Sequence, residues 1–216
     1  IRLHNPDTVF HLGAQTIVGI AQQHPLATFE SNIRGTYHVL EACRLNPKIV
    51  KRIVVASSDK AYGIQKKLPY TEESPLLGIY PYDASKACAD ILARSYFKTY
   101  GLPVAVTRNA NTYGGADLNF SRLIPDIIRS LLNDNQPIIR SDGTPERDYM
   151  YIKDAVNAYL MLASNLNKKD VQGEAFNFGT GKPISVLELY NIIIKLRGKK
   201  TKPQILGTAK NEIDRQ

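Results

Sequence analysis

Two short apolar runs, Ile53-Val54-Val55-Ala56 and Val104-Ala105-Val106, flank a long helical pattern from Tyr82 to Tyr100. Neither run alternates apolar with polar residues. A strand that is apolar at every position is covered on both faces, as in a parallel sheet with helices on each side. Between the runs, Ala84, Ala87, Ile91, Ala93 and Phe97 supply the inner face of a helix. Pro81 suits its first turn and Gly101 its left-handed cap. Strand, helix and strand in that order make a right-handed βαβ unit.

The rest of the chain extends the pattern. Val9-Phe10-His11-Leu12 reads as a short buried strand after a Pro6-Asp7 turn, with His11 a packed residue. Leu26 to Leu45 reads as one helix, with Phe29, Ile33, Val39, Leu40 and Cys43 at helical spacing and Gly35 a weak point inside it. A polar loop runs from Lys60 to about Ile79. Beyond Val106 follow a helix near 122–132, a strand near 137–139, a helix near 152–163, the strand Phe176-Asn177-Phe178 and a helix over 186–196. The fold class is α/β, a doubly wound parallel sheet, with a smaller substrate-covering lobe from about Asn111 onward.

Composition narrows the function. The net charge of +8 comes from dispersed lysines, with only short pairs at Lys66-Lys67, Lys168-Lys169 and Lys199-Lys200. No arginine-rich arm or aromatic-interleaved basic stripe accompanies them, which argues against nucleic acid and leaves phosphorylated small molecules open. The longest apolar runs, such as Ile192-Ile193-Ile194, are too short for a bilayer. Polar residues from Arg2 onward interrupt any secretory leader. Cys43 and Cys88 read as reduced thiols of a cytosolic protein. The histidines are scattered, so no metal site is expected. The chain opens on Ile1 and closes on Gln216 without start or stop signals, and sequence is expected to be missing at both ends.

Parallel sheets bind ligands beyond the carboxyl ends of their strands. Gly13 to Gln15, Ser57 to Lys60 and Arg108 to Gly115 take those places. Tyr82 and Lys86, four apart on a helix, share a face. An ammonium beside a phenol favours the phenolate and lowers its pKa from about 10, making a base for a hydroxyl proton. The spacing recurs at Tyr62/Lys66 and Tyr149/Lys153. Only Tyr82 opens a helix that follows a buried strand and a long loop. Ser57-Ser58-Asp59-Lys60 is either a site or a turn cluster. Arg147 is either a phosphate contact or a solvated arginine.

Together these segments resemble the extended short-chain dehydrogenase/reductase family, in its nucleotide-sugar epimerase/dehydratase branch. The matching pieces are Phe10 to Gln15, Asn32 to Thr36, Ser57 to Gly63, Pro81 to Lys86, Arg108 to Gly114, Arg147-Asp148-Tyr149 and Phe176 to Gly179. They fall in the family's order across nearly the whole chain. The resemblance implies a Rossmann-like NAD-binding domain, partial over residues 1–110. Residues 111–216 become a mixed region of substrate lobe and returning sheet elements. The family's glycine-rich phosphate turn is absent, so the match starts at a later strand, and Gly179-Thr180-Gly181-Lys182 is only a strand-to-helix turn.

Carried over by position, Tyr82 and Lys86 are the implied catalytic pair, with Lys86 also on the nicotinamide ribose. Ser58 orients the sugar and Tyr82. Leu12, Ala14, Asn32 and Ser57 resemble cofactor positions, alongside Tyr82 and Lys86. Asn111 and Arg147 resemble contacts to the diphosphate of a nucleotide-diphosphate sugar. A homodimer through the Tyr82 helix is implied, that helix showing Asp90, Arg94 and Lys98 on its outer face.

A 4-epimerase needs only oxidation at C4, rotation and hydride return. A 4,6-dehydratase also needs a base for C5 and an acid for the departing 6-hydroxyl. Asp59 resembles that acid. Lys60 stands where related dehydratases carry Glu, and Ser-Asp-Lys resembles the CDP-glucose 4,6-dehydratases. Lys60 is either the C5 base or structural, the latter leaving an epimerase. A non-catalytic nucleotide-sugar-binding or scaffold protein is the third reading.

Overall fold

The computed structural model describes residues 1–198, 201–209 and 213–215, so the Lys199-Lys200 pair and Gln216 lie outside it. In chain order come β1 (Thr8–His11), α1 (Val18–Gln23), α2 (Pro25–Phe29), a π-helical segment (Glu30–Arg34) and α3 (Gly35–Arg44). Next are β2 (Arg52–Ser58), a 3-10 turn (Asp59–Tyr62), α4 (Pro81–Tyr100), β3 (Val104–Asn109) and β4 (Asn111–Tyr113). Then come α5 (Leu123–Leu132), β5 (Ile138–Ile139), β6 (Glu146–Arg147), β7 (Tyr149–Tyr151) and α6 (Ile152–Asn165). The last are β8 (Ala175–Phe178), β9 (Ile184–Ser185), α7 (Val186–Arg197) and β10 (Gln204–Ile205). Two compact units result: Ile1–Ala110 with Lys153–Phe178, and Asn111–Ile152 with Gly179–Gln216.

The first unit is built on the sheet β1-β2-β3-β8, parallel throughout. Successive side chains of a strand point to opposite faces. Ile53, Val55, Val104 and Val106 therefore meet Leu40 and Cys43 of α3 and Ala93 of α4 on one face. Val54 and Ala105 meet Leu162 and Ala163 of α6 on the other. Two helical layers explain why both runs are apolar at every position. Each fully buried Val or Ile contributes about 1.5–3 kcal/mol. In register, Ser58 lies beside Asn109, and Asn109 beside Phe178, so these strands end level.

Several readings from sequence are corrected. β1 is not buried: Phe10 is 37% and Leu12 56% exposed. Among the described residues β1 pairs with β2 alone. The single helix over 26–45 is α2, a π-helical segment and α3 in series. Thr36 Oγ1 donates to the Asn32 carbonyl at 2.6 Å within that wide turn. The turn rotates Asn32 inward, as such insertions commonly do near functional sites. Asp90 is not on an outer face; it is fully buried. His11 is half-buried, with Nε2 3.0 Å from Thr36 Oγ1. That hydroxyl spends its proton on Asn32, so His11 donates from Nε2. Burial, then the nearby Lys86 charge, holds the imidazole below its usual pKa.

The second unit packs α5, β5 and α7 through Ile127, Leu131, Ile139, Val186 and Tyr190. Its strands pair as β4 with β7, β6 with β9 and β10 with β5. A capping box between Ser185 and Glu188 opens α7. Asp148 accepts from the amides of Thr180 and Gly181 at 2.7 and 2.8 Å, which fixes the turn before β9. Among the described residues no helix is long and apolar enough to cross a membrane, and no three His, Cys, Asp or Glu cluster to hold a metal.

Candidate active site

β2 ends in Ser57 and Ser58, and Ser58 caps the 3-10 turn by accepting from the Lys60 amide at 3.3 Å. The turn stops at Gly63, whose φ of +65° places a would-be Cβ 2.3 Å from the Leu77 carbonyl oxygen. Only glycine fits both constraints. Asp59 and Lys60 are thus presented at the carboxyl end of the sheet, directly after Ser58.

α4 brings the partners. Pro81 opens it and Gly101 closes it in the left-handed conformation. Tyr82, Lys86 and Asp90, at intervals of four, share its inner face and are 8%, 5% and 0% exposed. Ser57 Oγ donates to the Lys86 carbonyl at 3.0 Å and ties helix to strand. The other pairs at this spacing differ. Tyr62 ends a 3-10 turn while Lys66 lies in the loop, and Tyr149 lies on β7 while Lys153 lies on α6. Of the three, only Tyr82 and Lys86 share a helix.

Ser58 is a polar neighbour of the Tyr82 phenol. Ser58 Oγ donates its own proton to Asp59 Oδ1 at 3.0 Å. Ser58 thus neighbours both the phenol and the Asp59 carboxylate. The electrostatics depart from the expected lowered phenol. Burial raises the Tyr82 pKa well above its ordinary value; Ser58 pulls it down, while Asp59 and Asp83 push it up. Lys86 Nζ donates to the Ala56 carbonyl at 2.8 Å. Burial draws its pKa down to about 8. Exclusion of water thus weakens the same charge that would favour a phenolate.

Leu12 is exposed just past β1, and Ala14 is half-buried. Asn32 shapes this loop: Oδ1 accepts from Gln15 N at 2.7 Å, and Nδ2 donates to Gln15 O and Ser85 Oγ, both at 2.9 Å. Both amide protons are committed, so Asn32 acts on the loop. Ser57 likewise spends its hydroxyl on α4. In the second unit, Asn111 has a buried Nδ2 with no hydrogen-bond partner. Arg147 is 7% exposed and donates through Nη1 to the carbonyls of Glu146 at 2.8 Å and Asp214 at 3.1 Å.

Arg108 and Asp90 form a buried pair that the sequence reading missed. The signal was the interval of four: Asp90 follows Tyr82 and Lys86 on one helical face.

The model of the NAD dependent epimerase/dehydratase family matches residues 1–179. CDP-glucose 4,6-dehydratase of Salmonella typhimurium is 33% identical over 185 residues, covering 81% of this chain and 51% of its own length. dTDP-D-glucose 4,6-dehydratase of Dictyostelium discoideum is 35% identical over 201 residues, covering 88% of this chain and 45% of its own. A solved structure of UDP-glucose 4-epimerase from Thermotoga maritima with UDP-glucose superposes with a TM-score of 0.90 at 30% identity, over 99% of this chain and 68% of that one. The chain thus spans about half the length of these curated relatives. With a parallel sheet covered on both faces, Tyr82 and Lys86 on one buried helical face, and a family match over most of its length, the chain belongs to the NAD dependent epimerase/dehydratase family.

Proposed function

We propose that the protein is an NAD-dependent nucleotide-diphosphate-glucose 4,6-dehydratase. The observation that carries this is the end of β2, where buried Ser58 donates to Asp59 Oδ1 at 3.0 Å beside the buried Tyr82 helix, with Lys60 next in sequence. An acid adjoining the phenol–serine pair is what elimination of the 6-hydroxyl needs and what a 4-epimerase does not.

NAD, when bound, supplies the hydride acceptor at C4, the donor at C6 and a positive charge that favours a phenolate. The donor set fits such a cofactor. Lys86 is nearly buried, and one of its three ammonium protons goes to Ala56, leaving donors for ribose hydroxyls. Leu12 and Ala14 line the loop that Asn32 shapes.

Tyr82 takes the proton of the sugar 4-hydroxyl, and Ser58 orients both groups. The resulting 4-ketone acidifies C5. Lys60 removes the C5 proton, Asp59 protonates the departing 6-hydroxyl, and water leaves. Asn111 and Arg147 hold the diphosphate; the unsatisfied buried Nδ2 of Asn111 supports a donor waiting for an acceptor. The reading extends to a cytoplasmic homodimer, supported by the free Cys43 and Cys88 and by Ile91 and Tyr100 exposed on α4.

The test is incubation of the full-length protein with CDP-, dTDP-, UDP- and GDP-glucose. A 4-keto-6-deoxy product from one donor is expected. Recovery of only the C4 epimer replaces this reading with the epimerase.

A further inference from the structure

We propose that Tyr62 is a positioning residue that sets Asp59 and Lys60 against the phenol helix, a role that rests on the dehydratase reading. Its hydroxyl accepts from Arg108 Nη1 at 2.8 Å and donates to Asn177 Oδ1 at 2.6 Å. Its ring is sealed from solvent and stacks on Tyr70 at 4.7 Å between centroids. Tyr70 in turn donates to the Gly63 carbonyl at 2.9 Å, just past the turn.

Arg108 makes this an anchor. Its Nε and Nη2 bind both oxygens of Asp90 at 2.8 and 3.2 Å, and Nη1 also reaches the Glu72 carbonyl at 3.0 Å. Asp90 lies one helical turn beyond Lys86. One planar guanidinium is therefore bonded both to the helix carrying Tyr82 and to the turn carrying Asp59 and Lys60. A guanidinium fork admits few geometries, and a buried network fully satisfied at each member is rigid. Asn177 closes the network, its backbone N–H donating to Glu72 Oε1 at 2.9 Å.

The two ends of the turn are held differently. Ser58 caps its start by accepting from the Lys60 amide, and Ser57 holds α4 through the Lys86 carbonyl. Tyr62 fixes the far end, beyond Lys60. Loss of the Tyr62 hydroxyl therefore leaves the oxidation geometry standing and loosens the acid–base turn. The elimination step suffers while oxidation at C4 persists.

The test is Tyr62→Phe in the full-length enzyme, read in two ways during a single turnover: nicotinamide reduction by near-ultraviolet absorbance, and incorporation of solvent deuterium at C5 by mass spectrometry. Misplaced reacting groups lose on the order of tenfold to a hundredfold in rate, so C5 incorporation slows by that factor while nicotinamide reduction is little changed. Asn177→Ala, which removes the acceptor but leaves Arg108 paired, shows the same split in smaller measure and decides the matter if Tyr62→Phe does not fold. Equal slowing of both steps, or unchanged C5 incorporation, overturns the inference alone. A wild-type protein with no C5 incorporation contradicts the dehydratase reading and overturns the inference with it.

Discussion

Asp90 of α4 and Arg108 of β3 meet as a bidentate ion pair with both side chains sealed from solvent, 0% and 1% exposed. Burial opposes the guanidinium charge, but the Asp90 hydrogen bonds and charge prevail and raise its pKa. A buried charge stripped of its partner has no water to replace it. Asp90→Ala is expected to lower unfolding stability by about 3–5 kcal/mol in urea titrations. A loss below about 1 kcal/mol, the range of exposed pairs, would mean the pair is solvated.

Tyr82→Phe keeps the buried ring and removes only the hydroxyl. The expected variant folds with a melting temperature near that of the parent. Its turnover of nucleotide-glucose falls on the order of a hundredfold to ten-thousandfold, the range of a lost general base. Turnover close to the parental rate removes Tyr82 from the chemistry.

Lys86 couples the site to pH. It titrates near 10.5 when unfolded and at about 8 when folded. Below pH 8 it is charged in both states, and the fold bears the full cost of a buried ammonium. As pH rises from 8 toward 10.5 the folded state gives up its proton first and that cost is relieved. Lys86→Met should therefore be more stable than the parent at pH 7, by up to about 3 kcal/mol, with the difference shrinking toward pH 10. A stability difference flat across that window contradicts the shift.

Two glycines with the same φ of +65° separate strain from crowding. A Cβ at Gly101 meets nothing within 4 Å, whereas one at Gly63 would sit 2.3 Å from the Leu77 oxygen. Gly101→Ala is expected to cost about 1 kcal/mol. Gly63→Ala should cost at least about 3 kcal/mol and reduce turnover, because the displaced turn carries Asp59 and Lys60. Equal costs in thermal unfolding would show that the loop simply moves aside.

Elements with a strong period were legible. β2, β3 and α4 announce themselves because each must bury whole faces, and Pro81 and Gly101 mark the ends of α4. α1 was not, since six residues make too little periodicity. β4 and β7 were not, being built from Asn, Thr, Tyr and Met with no apolar alternation. Tyr82, Lys86 and Ser58 were singled out through ordered resemblance. The phenol's raised pKa was not, because desolvation depends on what covers a side chain, and sequence spacing carries no such information. Asp90 was misread because a charged residue on a helix defaults to the solvent face until its partner, 18 residues on, is seen to fold over it.

The fate of the C4 hydrogen tests the central claim most directly. The full-length protein is supplied with a nucleotide-glucose carrying deuterium at C4, and the product is read by NMR. Dehydration through Tyr82, Asp59 and Lys60 predicts deuterium at C6 of a 4-keto-6-deoxy sugar. Deuterium retained at C4 of an epimerised sugar, with the 6-hydroxyl intact, contradicts it.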